Sequence, residues 1–302
     1  LGDTPFQELF KTPVPLKLTH EERFSHMHIV GGTGAGKTSL IERLILHDIR
    51  SEDSPSIVVI DPHSDLIQRL TSRDLGIEDR VVIIDPRDIQ FPPALNIFAL
   101  NKDRFDSYDE VTREQVSAGV IQTFDYLFSG LLGADLTAKQ GVFFRYVARL
   151  MLAMPDAMGR NATILDMLRL MSDEGPYEAA IESLPDIPRE FFRNDFRSKT
   201  FAQTKEQIRY RLQAILENPT MARLFTSPET KVDIFNELNR GAIILVDTAK
   251  DYLKGASANF GRVFISLVLQ AVLERAAIPA NERKATFIFV DEAASYFDSN
   301  ID

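Results

Sequence analysis

The chain contains no cysteine, which excludes disulfides, a thiol nucleophile and any cysteine-ligated metal site and fits a reducing compartment. No run approaches the roughly 18 consecutive apolar positions of a membrane span. The longest apolar pieces, such as Ala242 to Val246 and Phe287 to Val290, have strand length. No basic-then-apolar leader opens the sequence, which begins at Leu1 rather than Met. Repeats of fixed period and low-complexity tracts are also missing. Positive charge is in short supply: 34 Lys and Arg against 44 Asp and Glu give a net charge of −10. That balance argues against a surface coated with nucleic acid, while leaving room for a local basic strip or a positive channel in an oligomer. What remains is ordinary globular composition, 44% hydrophobic and 26% charged, which excludes a disordered chain, a collagen or a coiled coil. A chain of 302 residues supports a reading of about two domains.

After an extended lead-in over 1–23 containing Pro5, Pro13 and Pro15, short apolar runs begin, several rich in β-branched residues. They are Met27 to Val30, Ile57 to Ile60, Val81 to Ile84, Ala242 to Val246 and Thr286 to Val290. Uninterrupted runs of this kind predict strands buried on both faces, as in a parallel sheet covered by helices. Four runs end in aspartate (Asp61, Asp85, Asp247 and Asp291) and the first ends in Gly31-Gly32. Ligands of open α/β sheets bind at the carboxyl ends of the strands, so these residues predict one working end of the sheet. For Asp85 and Asp247 a plain turn or cap role is as good a reading.

Between Phe105 and about Thr226 helical periodicity takes over, with stripes through Phe143, Val147, Leu150 and Met151, through Leu165, Leu168 and Met171, and through Ile208, Leu212 and Ile215. Thr163 followed by Asp166 reads as a helix start. Pro155, Gly159, Gly175-Pro176, Pro185 and Pro188 read as breakers between helices. The expected organisation is an all-α insertion over 105–228 between core segments 1–104 and 229–302, the second incomplete at its C-terminal side. A stripe through Phe264, Leu267, Val268, Ala271 and Val272 predicts one more helix over 263–275.

Gly31 to Thr38, GGTGAGKT, fits G-x-x-x-x-G-K-[ST]. Glycines let the backbone curl so that successive N–H groups point at phosphate oxygens, and the following helix adds its positive end. Gly31, Thr33, Gly34, Ala35, Gly36, Lys37, Thr38 and Ser39 are therefore the candidate nucleotide-binding residues. Lys37 is suited to the β- and γ-phosphates, and the Thr38 hydroxyl to Mg²⁺. The run Ala285 to Val290 delivers Asp291 and Glu292. Asp291 is the candidate for the Mg²⁺ shell, and Glu292 the candidate that orients and deprotonates the attacking water. Lys37 and Glu292 are thus the candidate catalytic residues, and the adjacent glutamate favours hydrolysis over a slow nucleotide switch.

Taken together, these residues resemble the HerA–FtsK superfamily of ring ATPases. His26 to Thr38 looks like its opening, and Ile60-Asp61-Pro62-His63-Ser64-Asp65-Leu66 is similar to the D-P-H-G-D-L segment of its conjugative branch, the coupling proteins of type IV secretion. Ser64 stands where glycine is usual. Ile84-Asp85-Pro86 and Pro93-Ala94-Leu95-Asn96 match the next landmarks. The resemblance implies an α/β, RecA-like P-loop core interrupted by an all-α domain. It implies a ring, usually a hexamer, that hydrolyses ATP with Mg²⁺ to move DNA, with relaxase or secretion-channel proteins as further partners. The roles of Lys37, Thr38, Asp291 and Glu292 carry over one by one. The implied location is the cytoplasm, at the inner face of a membrane where missing segments or partners supply an anchor. Two family features do not appear: a sensor strand after the acidic pair, and N-terminal membrane helices. In the implied strand order that sensor strand lies between the acidic and phosphate-loop strands, so a gap is expected there. The alternatives are an ATPase that energises protein export and a nucleotide-dependent assembly scaffold; Glu292 counts against the scaffold.

Other residues leave two readings open. His63 either contacts phosphate, substrate or a neighbouring subunit, or caps the following helix. His26 and His28 make a poor metal pair and suit packing better. Arg189, Arg193, Arg197, Lys199, Lys205, Arg209 and Arg211 outweigh Glu190, Asp195 and Glu206, which makes this run the best candidate for nucleic-acid phosphates; a solvated helix face is the plainer reading. The interleaved Phe191, Phe192, Phe196 and Phe201 suit a helical core seam better than base stacking. Arg262, Arg275 and Arg283 are all candidates for an arginine finger.

Overall fold

The computed structural model describes residues 19–132 and 137–297. The chain forms two compact units, Leu1–Ile41 and Glu42–Asp302. The larger contains a four-stranded sheet of β1 (Ser56–Asp61), β2 (Val81–Ile84), β3 (Ile243–Asp247) and β4 (Thr286–Val290). All neighbours are parallel, in the order β2-β3-β1-β4. The α/β class with a parallel sheet follows directly. β1 and β3 lie in the middle and are buried along their whole length, which is why their sequences run as unbroken Ile, Val and Leu. β2 and β4 are the outer strands, and each leaves an isoleucine exposed, Ile83 and Ile288.

The register places Ile57 opposite Ile243, Val58 opposite Ile244, Val59 opposite Leu245 and Ile60 opposite Val246. Alternation along each strand then sorts these pairs onto two faces. Val58, Ile60, Ile244 and Val246 join the principal core, together with residues of the helices that follow β2. Ile243 and Leu245 line a groove on the other face with Ile49 and Leu70.

The expected strand over Met27–Val30 does not form. These residues join no ladder, and Val30 is 80% exposed. β-Branched composition favours a strand only where a hydrogen-bonded neighbour exists, and among the described residues no strand pairs with these. The lead-in also departs from its extended reading. His20–Phe24 is a short helix opened by a reciprocal cap between Thr19 and Glu22, while residues 1–18 lie outside the described residues.

From Lys102 to Arg240 the described residues contain helices and no strand. Local chemistry sets their boundaries. Thr137 and Gln140 form a capping box at the start of Ala138–Met158, and Thr163 and Asp166 do the same for Ile164–Leu170. That second cap fixes the phase of its helix: the buried apolar side chains are Ile164, Met167 and Leu170, and Leu165 and Leu168 are only partly buried. Pro155 is not a breaker, because it sits inside the last turns of Ala138–Met158, and Gly159, at φ 70°, ends that helix. Pro188 also lies inside a helix, Asp186–Glu190, in the first turn where its missing N–H leaves no bond unmade.

One ion pair in this region gives a pH prediction. Arg160 makes two bonds to the buried Asp166, Nη1 to Oδ2 at 2.8 Å and Nη2 to Oδ1 at 2.6 Å. Burial pushes the Asp166 carboxyl up, but the Arg160 guanidinium and Thr163 outweigh it and hold the group below its ordinary value. A depressed folded-state value contributes stability that is complete above about pH 4, where the unfolded aspartate is ionised, and is lost as pH falls through the folded value. The gap in melting temperature between wild type and Asp166→Asn should therefore narrow as pH drops from about 6 towards 3. A constant gap across that range would show that the ionised pair is not what stabilises this cap.

Among the described residues, helix Ala256–Glu274 with its continuation to Ala277 has the length and composition to cross a membrane. In this fold it packs against Glu110–Leu132 and Ile234–Arg240 and buries Phe260, Phe264, Val268 and Ala271. Val263 and Ile265 are buried with them and Leu267 is half-buried, whereas Leu269, Val272 and Leu273 are exposed, so the buried stripe excludes Val272.

Candidate functional site

The smaller unit carries the glycine-rich loop. Gly34 and Gly36 have φ of 78° and 85°, a region that side-chain-bearing residues rarely enter. Ala35 N donates to the Gly32 carbonyl at 3.2 Å and Leu40 N to the Gly36 carbonyl at 2.9 Å, so the loop curls straight into helix Lys37–Ile49. Gly31 is a point of close approach, since a Cβ there would lie 3.2 Å from the Ala35 Cβ. Lys37 Nζ donates to the carbonyls of Gly31 at 2.9 Å and Gly32 at 3.0 Å. Its ammonium is thus folded over its own loop, against neutral oxygens. The first turn of the helix holds no acidic residue to repel an anion, and a helix N-terminus favours negative charge. This donor set fits a polyphosphate. The Thr38 hydroxyl is a hard oxygen ligand of the kind Mg²⁺ takes. No three His, Asp or Glu side chains converge as a ready-made metal cage among the described residues. Mg²⁺ at nucleotide sites is held by one or two side chains plus phosphate oxygens.

The larger unit carries the acidic residues. Because the strands are parallel, Asp61, Asp85, Asp247 and Asp291 come to the same end of the sheet. Asp61 accepts from the backbone N–H of His63 at 3.0 Å, Leu66 at 2.9 Å and Ile67 at 3.1 Å, which fixes the turn into helix Asp65–Thr71. Burial pushes its carboxyl up, and the nearby Asp247 adds to that rise against the three N–H bonds. Asp247 accepts from Ala249 N at 2.7 Å, from the Ser64 hydroxyl and from Arg87, whose guanidinium also grips Asp85. Asp85 and Asp247 therefore serve as turn anchors. Backbone bonds stitch the strand ends together: Thr248 N to Asp61 O at 3.0 Å, Lys250 N to Pro62 O at 2.9 Å and Asp291 N to Ile60 O at 3.0 Å.

Three non-glycine residues at this end hold left-handed backbone: Ser64 at φ 66°, Ala249 at φ 45° and Glu292 at φ 48°. Each conformation costs on the order of 1 kcal/mol, and such strain gathers where function over-determines the backbone. The value at Ser64 explains why glycine suits the position, and the hydroxyl bond to the buried Asp247 offsets the cost of a side chain there.

Glu292 follows the outer strand β4 and meets residues from two neighbouring turns. Its Oε1 lies 3.2 Å from His63 Nε2 and its Oε2 2.7 Å from Lys250 Nζ. A carboxylate only accepts, so His63 donates through Nε2–H. The Lys250 bond holds the Glu292 carboxyl below its ordinary value against the opposing effect of burial, with smaller help from His63. His63 thus reaches an acidic residue on the neighbouring strand end. Sequence reasoning missed Lys250, whose one sequence signal is its place three residues after the strand-end Asp247. Behind Glu292, Tyr296 is buried, its hydroxyl 2.7 Å from Thr248 Oγ1 and its carbonyl accepting from Arg262 Nε at 3.1 Å. Burial pushes the Tyr296 phenol up to about 12.

The other candidates lie elsewhere. In the basic run, Arg189 pairs with Asp186, Arg193 with Glu182, and Arg197 with Glu174 and Glu178. Phe191, Phe192, Phe196 and Phe201 are buried as a core seam. Of the three arginines considered as fingers, Arg275 is only 6% exposed and donates to Thr286 Oγ1 at 2.8 Å, so it is structural. Arg283 folds back onto the Ile278 carbonyl at 2.7 Å. A cleft of about 350 Å³ is lined by Asn101, Arg104, Asp233 and Glu274 among others, and no strand-end residue lines it. Its Arg104 is already paired with Glu274 and Asp233.

A family model described as the central domain of helicase HerA matches residues 8–241. Comparison with curated proteins finds no match. The matched span covers the glycine-rich loop, β1, β2 and the helical segment; Lys250, Asp291 and Glu292 lie beyond it. With most of its length matched and a phosphate loop of the required geometry, the chain belongs to the HerA family of P-loop ATPases, within the HerA–FtsK superfamily.

Proposed function

We propose that the protein is an ATP-driven ring motor that moves DNA, of the type that couples DNA to conjugative type IV secretion. The observation that carries hydrolysis, rather than nucleotide binding alone, is Glu292: an ionised carboxylate next to a strand-end aspartate, held by two donors. The bound Mg-ATP supplies the phosphoanhydride and the metal's charge neutralisation. The chain's own residues do the rest. Gly31, Thr33, Gly34, Ala35, Gly36 and Ser39 present the loop to the phosphates, and Lys37 turns from its loop carbonyls to phosphate oxygens. Thr38 and Asp291 hold Mg²⁺, and Glu292 orients a water and accepts its proton. The helical segment 105–228 is read as an insertion carried by this core. DNA as cargo rests on the resemblance of residues 60–66 to the conjugative segment.

One observation favours a second reading, an ATPase for protein export. The net charge is −10 and the arginines at 189, 193 and 197 are neutralised by acidic partners. Turnover measured with and without single- and double-stranded DNA separates the two. A DNA motor is expected to speed up severalfold with DNA and to lose that gain as salt rises. Turnover indifferent to both DNA forms at low salt would favour the export reading.

A further inference from the structure

We propose that Lys250, acting with His63, is a positioning residue that fixes the Glu292 carboxylate in the orientation needed to activate water. The inference rests on the reading of Glu292 as the general base. An unrestrained glutamate at this place would sample many rotamers, because its side chain is 43% exposed. Instead each carboxylate oxygen has one donor, Lys250 Nζ at 2.7 Å on Oε2 and His63 Nε2 at 3.2 Å on Oε1. Each oxygen of a carboxylate has two lone pairs, so the two donors orient the group and leave acceptor capacity on both oxygens for a water.

The two donors come from different strand ends, and the backbone beneath each is itself fixed. Lys250 follows β3, its N–H donating to Pro62 O at 2.9 Å, while the residue before it holds left-handed backbone with its N–H on Asp247. His63 follows β1, its N–H donating to Asp61 Oδ1 at 3.0 Å. Glu292 follows β4, at φ 48° with its own N–H on Asp291 Oδ1 at 2.9 Å. Three strained or capped turns thus converge on one carboxylate. A base oriented by a further group is the arrangement that makes proton abstraction efficient, and supporting residues must hold it to within about 0.5 Å. An ammonium does this as a point charge, with little demand on direction.

The test is steady-state ATP turnover of the full chain, with Lys250→Met and Lys250→Arg made alone and in a Glu292→Gln background. Lys250→Met is expected to lower kcat by about tenfold, less than the roughly hundredfold that a 1 Å misplacement can cost because His63 remains, with KM within about twofold. Lys250→Arg should restore most of it, since a guanidinium also donates to a carboxylate. In the Glu292→Gln background Lys250→Met should cost nothing further, because residues that act through one another do not add. Unchanged kcat, raised kcat, a changed KM at constant kcat, or an equal further loss in the Glu292→Gln background would each overturn the proposal. A Glu292→Gln variant with wild-type turnover would overturn the underlying reading of the base instead, so the two failures are distinguishable.

Discussion

Glu292→Gln should keep Mg-ATP bound while lowering turnover by about 10²–10⁴-fold, the range a positioned general base contributes. The amide has the shape of the carboxylate: its one oxygen can still accept from Lys250, and its NH2 can donate to Nε2 of a neutral His63 in the other tautomer. It cannot take a proton from water. Binding should survive because the proposed site meets the phosphates with the glycine-rich loop, through Lys37 and the curled backbone. Lys37→Ala makes the contrast. It removes the cation that now rests on the Gly31 and Gly32 carbonyls, and both binding and turnover should fall. A charge-assisted bond is worth about 1.5–3 kcal/mol, or about ten- to a hundredfold in affinity. Asp291→Asn should instead raise the Mg²⁺ concentration needed for half-maximal turnover. Nucleotide binding by fluorescence and phosphate release together check all three variants. Wild-type phosphate release by Glu292→Gln would show that another group activates the water, and tight binding by Lys37→Ala would remove the loop from the site.

These roles were legible to different depths in the sequence, for physical reasons that can be named. The curl of the glycine-rich loop is legible because it is set locally, and the φ values at Gly34 and Gly36 are what glycine permits. β1 and β3 are legible because strands buried on both faces need unbroken apolar runs. Met27–Val30 has similar composition and forms no strand, since a ladder depends on a neighbour that composition does not specify. Pro155 misleads in a related way: where a helix ends depends on Gly159, not on the proline alone. The net charge of the basic run overstates its positive field, because Arg189, Arg193 and Arg197 have acidic partners earlier in the chain, Asp186, Glu182, Glu174 and Glu178. Lys250 was out of reach for a deeper reason. It meets Glu292 across a separation of 42 positions in the chain, and only the parallel order of β3, β1 and β4 brings their ends together. The faint local mark is shared by all three partners: His63, Lys250 and Glu292 each follow a strand-end aspartate by one to three residues.

Gly261→Ala should destabilise the protein, although the same change in the middle of an ordinary helix stabilises it. Position 261 lies inside helix Ala256–Glu274, where alanine is preferred to glycine by about 1 kcal/mol. A Cβ at this position would lie 2.2 Å from Tyr296 Cε1 and 2.4 Å from Cδ1. The Tyr296 ring is not a flexible tip that can step aside. It is 1% exposed, and its hydroxyl is tied to Thr248, which in turn accepts from Ser257 at 3.1 Å. Overpacking of this kind costs about 1–3 kcal/mol, and here it must exceed the propensity gain before any loss is seen. The expected net effect is a melting temperature lower by several degrees, at roughly 2–4 °C per kcal/mol for a chain of this size. The sign can be reversed. Tyr296→Ala removes the ring and by itself should cost about 3 kcal/mol as a large-to-small core change. In that background the obstacle is gone, so Gly261→Ala should become neutral or stabilising by up to about 1 kcal/mol. Denaturant melts of the four proteins measure this cycle. A Gly261→Ala penalty that persists unchanged without the Tyr296 ring would mean that the glycine answers to some other contact. Because Tyr296 follows Glu292 by four residues and ties that turn to Thr248 on the β3 end, Gly261→Ala should also lower kcat below what the loss of folded protein explains. Turnover per folded molecule, from active-site titration with nucleotide, is the measurement that separates the two effects.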